Sequence, residues 1–246
     1  MGGAAGLVVE FVGLPGAGKS ALSRQVAVLL RAKGLIVSEP TRRLDQLGMA
    51  WRTLAKVGYG IGGAVAAPRT GARWMRTFNN MRQRSLADTG RVALNWFFLA
   101  GLTRGLAHRP GVHLLDQGIF QGIWSAAYAA REEAIKGPEI VAAVLDVLPA
   151  RILVIVVETS PDTLRRRLQE RLGGDSRLER DLTTREAPGS LTRAVAAFAS
   201  MQELLKLLER QEAIVVMRVQ GEHPEQLQVT AEAVAGRILG AQLLTG

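Results

Sequence analysis

Gly13-Leu14-Pro15-Gly16-Ala17-Gly18-Lys19-Ser20 decides how this chain is read. The octapeptide fits G-x-x-x-x-G-K-[ST] at every fixed position. It follows LVVEFV, a β-rich run from Leu7 to Val12. It opens a stretch from Ala17 to Lys33 in which Leu22, Val26, Leu29 and Leu30 form one apolar stripe of helical period. Strand, glycine turn and helix together make a phosphate cradle. Glycines let successive backbone N–H groups turn toward phosphate oxygens, and the helix adds its positive N-terminal end. Lys19 carries a mobile charge to the β- and γ-phosphates, and Ser20 offers a hydroxyl to Mg²⁺. The expected ligands are ATP and Mg²⁺. The expected nucleotide contacts are Gly13, Pro15, Gly16, Ala17, Gly18, Lys19, Ser20 and Ala21.

Outward from the loop, further strands are expected from Leu35 to Ser38, Val112 to Leu115, Ile152 to Val157 and Ala213 to Arg218. ILVIVV, the third of these, is unbroken apolar, as in a parallel strand covered on both faces. Helical stretches run from Pro161 to Leu172, Leu191 to Arg210 and Pro224 to Leu239. Alternating strands and helices predict an α/β fold, a parallel sheet flanked by helices. Positions 41–110 are mostly helix-compatible, broken by Gly58-Tyr59-Gly60-Ile61-Gly62-Gly63 and Pro68. They read as a helical insertion after the second strand. Gly173-Gly174-Asp175-Ser176 marks a second flexible point. The expected organisation is one domain over 1–246, with the insertion at 41–110 and a lid at about 165–187.

The 246 residues are 48% hydrophobic, enough for a continuous core. There is no cysteine, which excludes disulfides and cysteine-based metal sites. His108, His113 and His223 lack metal-ligand spacing. The start, MGGAAGLVVEF, lacks the basic n-region of a secretory signal. No apolar run approaches the ~20 residues of a membrane-spanning helix. A cytoplasmic location is therefore expected.

The net charge of +9 is uneven: positions 41–110 hold 12 basic residues against Asp45 and Asp88. This segment has three readings: it binds an anionic acceptor, it docks on an acidic membrane or protein surface, or it is a solvated helix face. A nucleic-acid partner is not expected, because no reading motif is present. Trp96-Phe97-Phe98 reads as core packing of a helix, or else as a wall of the acceptor pocket. Trp51, Tyr59 and Trp74 stand isolated. Glu10 interrupts the first strand; it either hydrogen-bonds within the core, the plainer reading, or reaches the site from below.

The loop alone does not say what happens to the phosphate. The N-K-x-D and D-x-x-G elements of GTPases and the L-S-G-G-Q signature of ABC-type ATPases are not evident. Small kinases remain, which need only positioning and charge neutralisation.

Further motifs carry a resemblance. Ser38-Glu39-Pro40 follows the second strand, Leu114-Leu115-Asp116-Gln117 ends the third, and Arg167-Leu168-Gln169-Glu170-Arg171 precedes Asp175-Ser176-Arg177-Leu178-Glu179. In order and spacing these resemble the thymidylate kinase and deoxynucleoside kinase group. The likeness spans about Leu7 to Glu39 and Gly111 to the C-terminus; Gln117 stands where those kinases have arginine. The resemblance implies a P-loop NTPase fold with five strands in the order 2-3-1-4-5. It also implies a homodimer.

By that resemblance Glu39 is a general base or holder for an acceptor hydroxyl. Asp116 reaches Mg²⁺, directly or through water, and also suits a helix N-cap. Arg167, Arg171 and Arg177 are expected in a lid that closes on the transferring phosphoryl group. The expected activity is ATP- and Mg²⁺-dependent phosphoryl transfer to a small, anionic or neutral acceptor, with a nucleoside or nucleotide as first choice. A sugar or antibiotic kinase is the alternative. A nucleotide-dependent switch that binds a partner through the basic insertion is the alternative from a different class.

Overall fold

Successive residues of a strand face opposite sides of a sheet. All six residues of Leu7–Val12 are buried, so this strand is covered on both sides. The computed structural model describes residues 6–45, 74, 76, 83, 85–130, 138–170, 177–183 and 187–243. Its strands are β1 (Leu7–Val12), β2 (Val37–Ser38), β3 (Val112–Leu115), β4 (Ile152–Glu158) and β5 (Val215–Gln220). They form a five-stranded parallel sheet in the order β2-β3-β1-β4-β5. This is the α/β class and the strand order expected. In register, Glu10 of β1 stands opposite Leu115 of β3 and Val154 of β4.

The helices are α1 (Lys19–Ala32), α2 (Pro40–Asp45), α3 (Leu86–Ala107), α4 (Ile119–Ala129) and α5 (Pro138–Leu145). They continue with α6 (Pro161–Glu170), α7 (Arg177–Thr183), α8 (Ala187–Arg210) and α9 (Leu227–Leu243), the last preceded by a 3-10 turn at Pro224–Gln226. α1 packs on α9, while α4 packs between α3 and α8. Branched apolar side chains from β1 and β4 join Leu22, Val26 and Leu30 of α1 in the core.

Two strands begin later than expected, both through helix ends. α1 closes at Gly34, whose φ of +79° is left-handed, and Leu35 donates its N–H back to Leu30 O at 3.2 Å. That closure takes Leu35 out of the strand, so β2 begins at Val37. α8 ends similarly. Glu212 adopts φ 55°, and Ala213 donates back to Leu208 O at 3.0 Å. β5 therefore begins at Val215, two residues later than the sequence pattern indicates.

Much of the stretch 41–110 lies outside the described residues. Its described parts include α2, α3 and two anchors. Trp74 is buried and stacks on Trp96 of α3, with ring centroids 3.6 Å apart and an interplanar angle of 27°. Gln83 is buried, donates Nε2–H to Ala126 O at 3.2 Å and bridges to Ala130. Trp96 and Phe98 lie in the core, as a packing role for the aromatic run requires. Trp74, isolated in sequence, joins them. No helix among the described residues is long and apolar enough to cross a membrane.

Candidate functional site

Ligands of parallel sheets bind at the carboxyl ends of the strands, where the octapeptide lies. Gly16 and Gly18 have φ of +88° and +96°, a region L side chains rarely adopt. Gly18 is also the N-cap of α1. No side chain caps this end, and the first turn carries no acidic residue. The positive end of α1 is thus set for an anion. Lys19 extends Nζ back along the loop and donates to Gly13 O at 2.7 Å and Leu14 O at 3.0 Å.

Beside the start of α1, a cleft of about 310 Å³ gathers Ser20, Arg24, Glu39, Thr41, Arg42 and Asp116. Three of the residues singled out from sequence, Ser20, Glu39 and Asp116, therefore share one wall. Asp116 follows β3, and its Oδ1 accepts from the Thr41 hydroxyl at 2.6 Å. Glu39 follows β2 and is buried. Its Oε2 pairs with Arg31 at 2.8 Å and its Oε1 with Arg42 at 3.2 Å. Two guanidinium groups thus compensate this carboxylate at the edge of the cleft.

The Ser20 hydroxyl and Asp116 carboxylate are hard oxygen donors, which suit Mg²⁺. Among the described residues no cluster of three or more His, Asp or Glu side chains forms a protein-only metal cage. A single carboxylate and a hydroxyl fit Mg²⁺ that takes its remaining ligands from phosphate and water.

Arg167 lies on α6, at the opposite side of the loop. Its Nη1 donates to Gly16 O at 3.2 Å and Gly221 O at 2.7 Å, and its Nη2 donates to Glu222 O at 2.8 Å. The guanidinium ties the loop, α6 and the turn after β5 together. Glu222 completes the tie by accepting from Ser160 N at 2.8 Å at the start of α6. The hydrogen bonds from Ser160 hold the Glu222 carboxyl below its ordinary range. Arg171 and the side chain of Arg177 lie outside the described residues; the backbone of Arg177 begins α7.

Two more residues support the loop: Glu10, singled out in the sequence, and Gln121, which sequence reasoning missed. Glu10 is fully buried, and its Oε1 accepts from Gln121 N at 2.8 Å. Gln121 in turn reaches the loop, its Oε1 accepting from Gly13 N at 3.3 Å. Burial raises the Glu10 carboxyl to about 7, opposed by the backbone N–H groups of Gly118 to Gln121. The only sequence signal was a glutamate within an apolar strand. Gln121 carried none.

Two further clusters fix the walls. His113 lies between Ser38 Oγ (2.7 Å from Nδ1) and Arg109 O (2.9 Å from Nε2). The carbonyl can only accept, so Nε2 carries the proton and, in the neutral ring, Nδ1 accepts from Ser38. This pins Ser38, one residue before Glu39. Tyr128 of α4 donates to Asp181 of α7 at 2.6 Å, and Arg193 of α8 lies over its ring, 5.0 Å from the centroid. Burial and the Asp181 hydrogen bond raise the Tyr128 phenol above its ordinary value. Trp124 Nε1 donates to Ala194 O at 3.1 Å beside them. α4, which leads away from Asp116, is thereby bonded to α7 and α8.

Fold and loop together define a P-loop chain with a thymidylate kinase and deoxynucleoside kinase-like fold. No family model and no curated protein matches it, but solved structures do. A deoxyadenosine kinase from M. mycoides, with products dCMP and a flexible dCDP bound, superposes with TM-score 0.52 at 12% identity, over 95% of this chain and 99% of that one. The same enzyme with bound dATP gives TM-score 0.51 at 12% identity over the same shares. A thymidylate kinase from Candida albicans gives TM-score 0.52 at 16% identity, over 97% of this chain and 94% of that one. At such identities the likeness is one of fold.

Proposed function

We propose that the chain transfers the γ-phosphoryl group of ATP, with Mg²⁺, to a small acceptor, with a nucleoside or nucleotide as first choice. The observation that carries this reading is the shared cleft of Ser20, Glu39 and Asp116 beside the phosphate loop. The likeness in fold to deoxyadenosine kinase and thymidylate kinase supports it.

In this reading the loop amides and the start of α1 hold the phosphates, and Lys19 exchanges its carbonyl partners for β- and γ-phosphate oxygens. Ser20 and Asp116 hold Mg²⁺, which when bound neutralises charge on the phosphates. Glu39 and Arg42 face the acceptor. With a hydroxyl acceptor, Glu39 orients the O–H and takes its proton as the new P–O bond forms and the bond to ADP breaks. With a phosphate acceptor, Arg42 and Arg24 neutralise its charge. Arg171 and Arg177 are the candidates to close on the transferring group. Sugar and antibiotic acceptors remain within the same chemistry.

The test is a screen of nucleosides, nucleotides, sugars and aminoglycosides for acceptor-dependent ADP release, with Lys19→Ala as control. One acceptor class releases ADP, and Lys19→Ala loses at least about a hundredfold while its melting temperature is kept. Wild-type turnover in Lys19→Ala overturns the assignment. ATP-dependent binding of a protein or membrane partner, with no acceptor found, favours the switch instead.

A further inference from the structure

A charged group in the middle of a covered strand is costly unless it is compensated. Glu10 sits in such a place, 1% exposed, on the strand that delivers the phosphate loop three residues later. What it holds is the beginning of α4. That helix has Gly118 as N-cap and no side-chain cap of its own. Glu10 provides the cap from across the sheet, through its bond to Gln121 N. The fit is close: a Cβ at Gly118 would collide with the Glu10 carboxylate. The segment so gripped, Asp116-Gln117-Gly118, is the link that presents Asp116 to the cleft.

The grip returns to the loop. Gln121 uses its backbone N–H on Glu10 and its side-chain oxygen on Gly13 N–H. Gly13 O in turn receives Lys19 Nζ. A continuous chain of contacts therefore runs from Glu10 through Gln121 and Gly13 to Lys19. It closes a ring between β1 and α4 that contains the first residue of the loop.

We propose that Glu10 and Gln121 are a positioning pair that locks the mouth of the phosphate loop to the segment carrying Asp116, so that the two phosphate-binding walls keep a fixed separation. The pair touches no phosphate itself. It acts through Gly13, Lys19 and Asp116, and its importance for nucleotide affinity rests on the ATP-binding reading above.

The experiment uses the full chain and a fluorescent ATP analogue. Gln121 is half-buried, so Gln121→Met keeps its length and removes the side-chain amide, with the oxygen that accepts from Gly13. The expected result is an analogue affinity about tenfold weaker, near the effect of one lost hydrogen bond in a preorganised site. Faster amide hydrogen exchange at Gly13 and an unchanged melting temperature should accompany it. Glu10→Met should give the same loss. Glu10→Gln, which keeps an oxygen for Gln121 N–H, should recover most of it. The Glu10→Met/Gln121→Met double variant should be little worse than either single one, because the two act as a unit. Additive losses, or Gly13 exchange unmoved by Gln121→Met, overturn the pairing. If the wild type does not bind the analogue, the ATP reading fails; Gly13 exchange still decides the coupling.

Discussion

The Thr41 hydroxyl donates to Oδ1 of Asp116 at 2.6 Å, so the first turn of α2 and the end of β3 meet on one carboxylate oxygen. Asp116→Asn keeps an oxygen for Thr41 but removes the charge. Its melting temperature should be unchanged, while the Mg²⁺ concentration for half-maximal activity rises about tenfold or more. A Mg²⁺ titration of ADP release checks this. An unmoved midpoint would leave Asp116 only its contact with Thr41.

Glu39 and Arg42 separate the acceptor classes. For a hydroxyl acceptor, Glu39→Gln lowers kcat by roughly a hundredfold, the usual contribution of a general base, and ATP affinity stays near wild type. For a phosphate acceptor, the larger effect comes from Arg42→Ala as an acceptor KM raised about tenfold or more. Steady-state kinetics on both variants distinguish the cases. If neither variant changes kcat or KM, the acceptor binds elsewhere.

Arg167 is held by three backbone carbonyls, one of them in the phosphate loop. Arg167→Ala leaves those oxygens without their donors. It should cost about 2 kcal/mol of stability and weaken ATP binding, with a smaller change in kcat at saturating ATP. Thermal melts and nucleotide titration measure this directly. The opposite pattern, a fall in kcat with stability and affinity intact, marks a residue that swings onto the transferring group.

The Glu10 carboxyl stands at about 7 in the folded protein, against 4.5 as its ordinary value, because burial disfavours its charge. Between those two pH values the folded chain holds a proton that the unfolded chain has released. Its contribution to stability is therefore fully present below about pH 4.5 and lost as pH rises through about 7. The loss is roughly 3 kcal/mol. Denaturant midpoints measured from pH 5 to 8 should fall for the wild type and flatten for Glu10→Gln.

What the sequence reveals is mostly local. The octapeptide is contiguous, and its strand and helix flank it within a few residues, so it was fully legible. Glu39 and Asp116 are singled out by the resemblance, each at the end of an expected strand, but the cleft they share forms only in the fold. α4 is not among the expected helices: IFQGIWSAAYA is short and mostly apolar, and periodicity alone does not separate a short apolar helix from a buried strand. β5 starts later than the sequence pattern indicates because the left-handed turn at Glu212 lies among neighbours of strand-like composition. Arg167 was legible as part of a spaced arginine motif, but its carbonyl partners at 16, 221 and 222 come together only in the fold. The Glu10–Gln121 link spans 111 positions and has no motif at either end.

The stacked indoles of Trp74 and Trp96 have an optical consequence. Two rings this close share their excited states, so the pair acts as one chromophore with its own circular dichroism signature. One ring belongs to the stretch between β2 and α3, the other to a helix of the core. Any rearrangement that draws Trp74 away from α3 therefore uncouples the pair and is visible without a label. The chain carries its own spectroscopic gauge of how tightly Trp74 is seated.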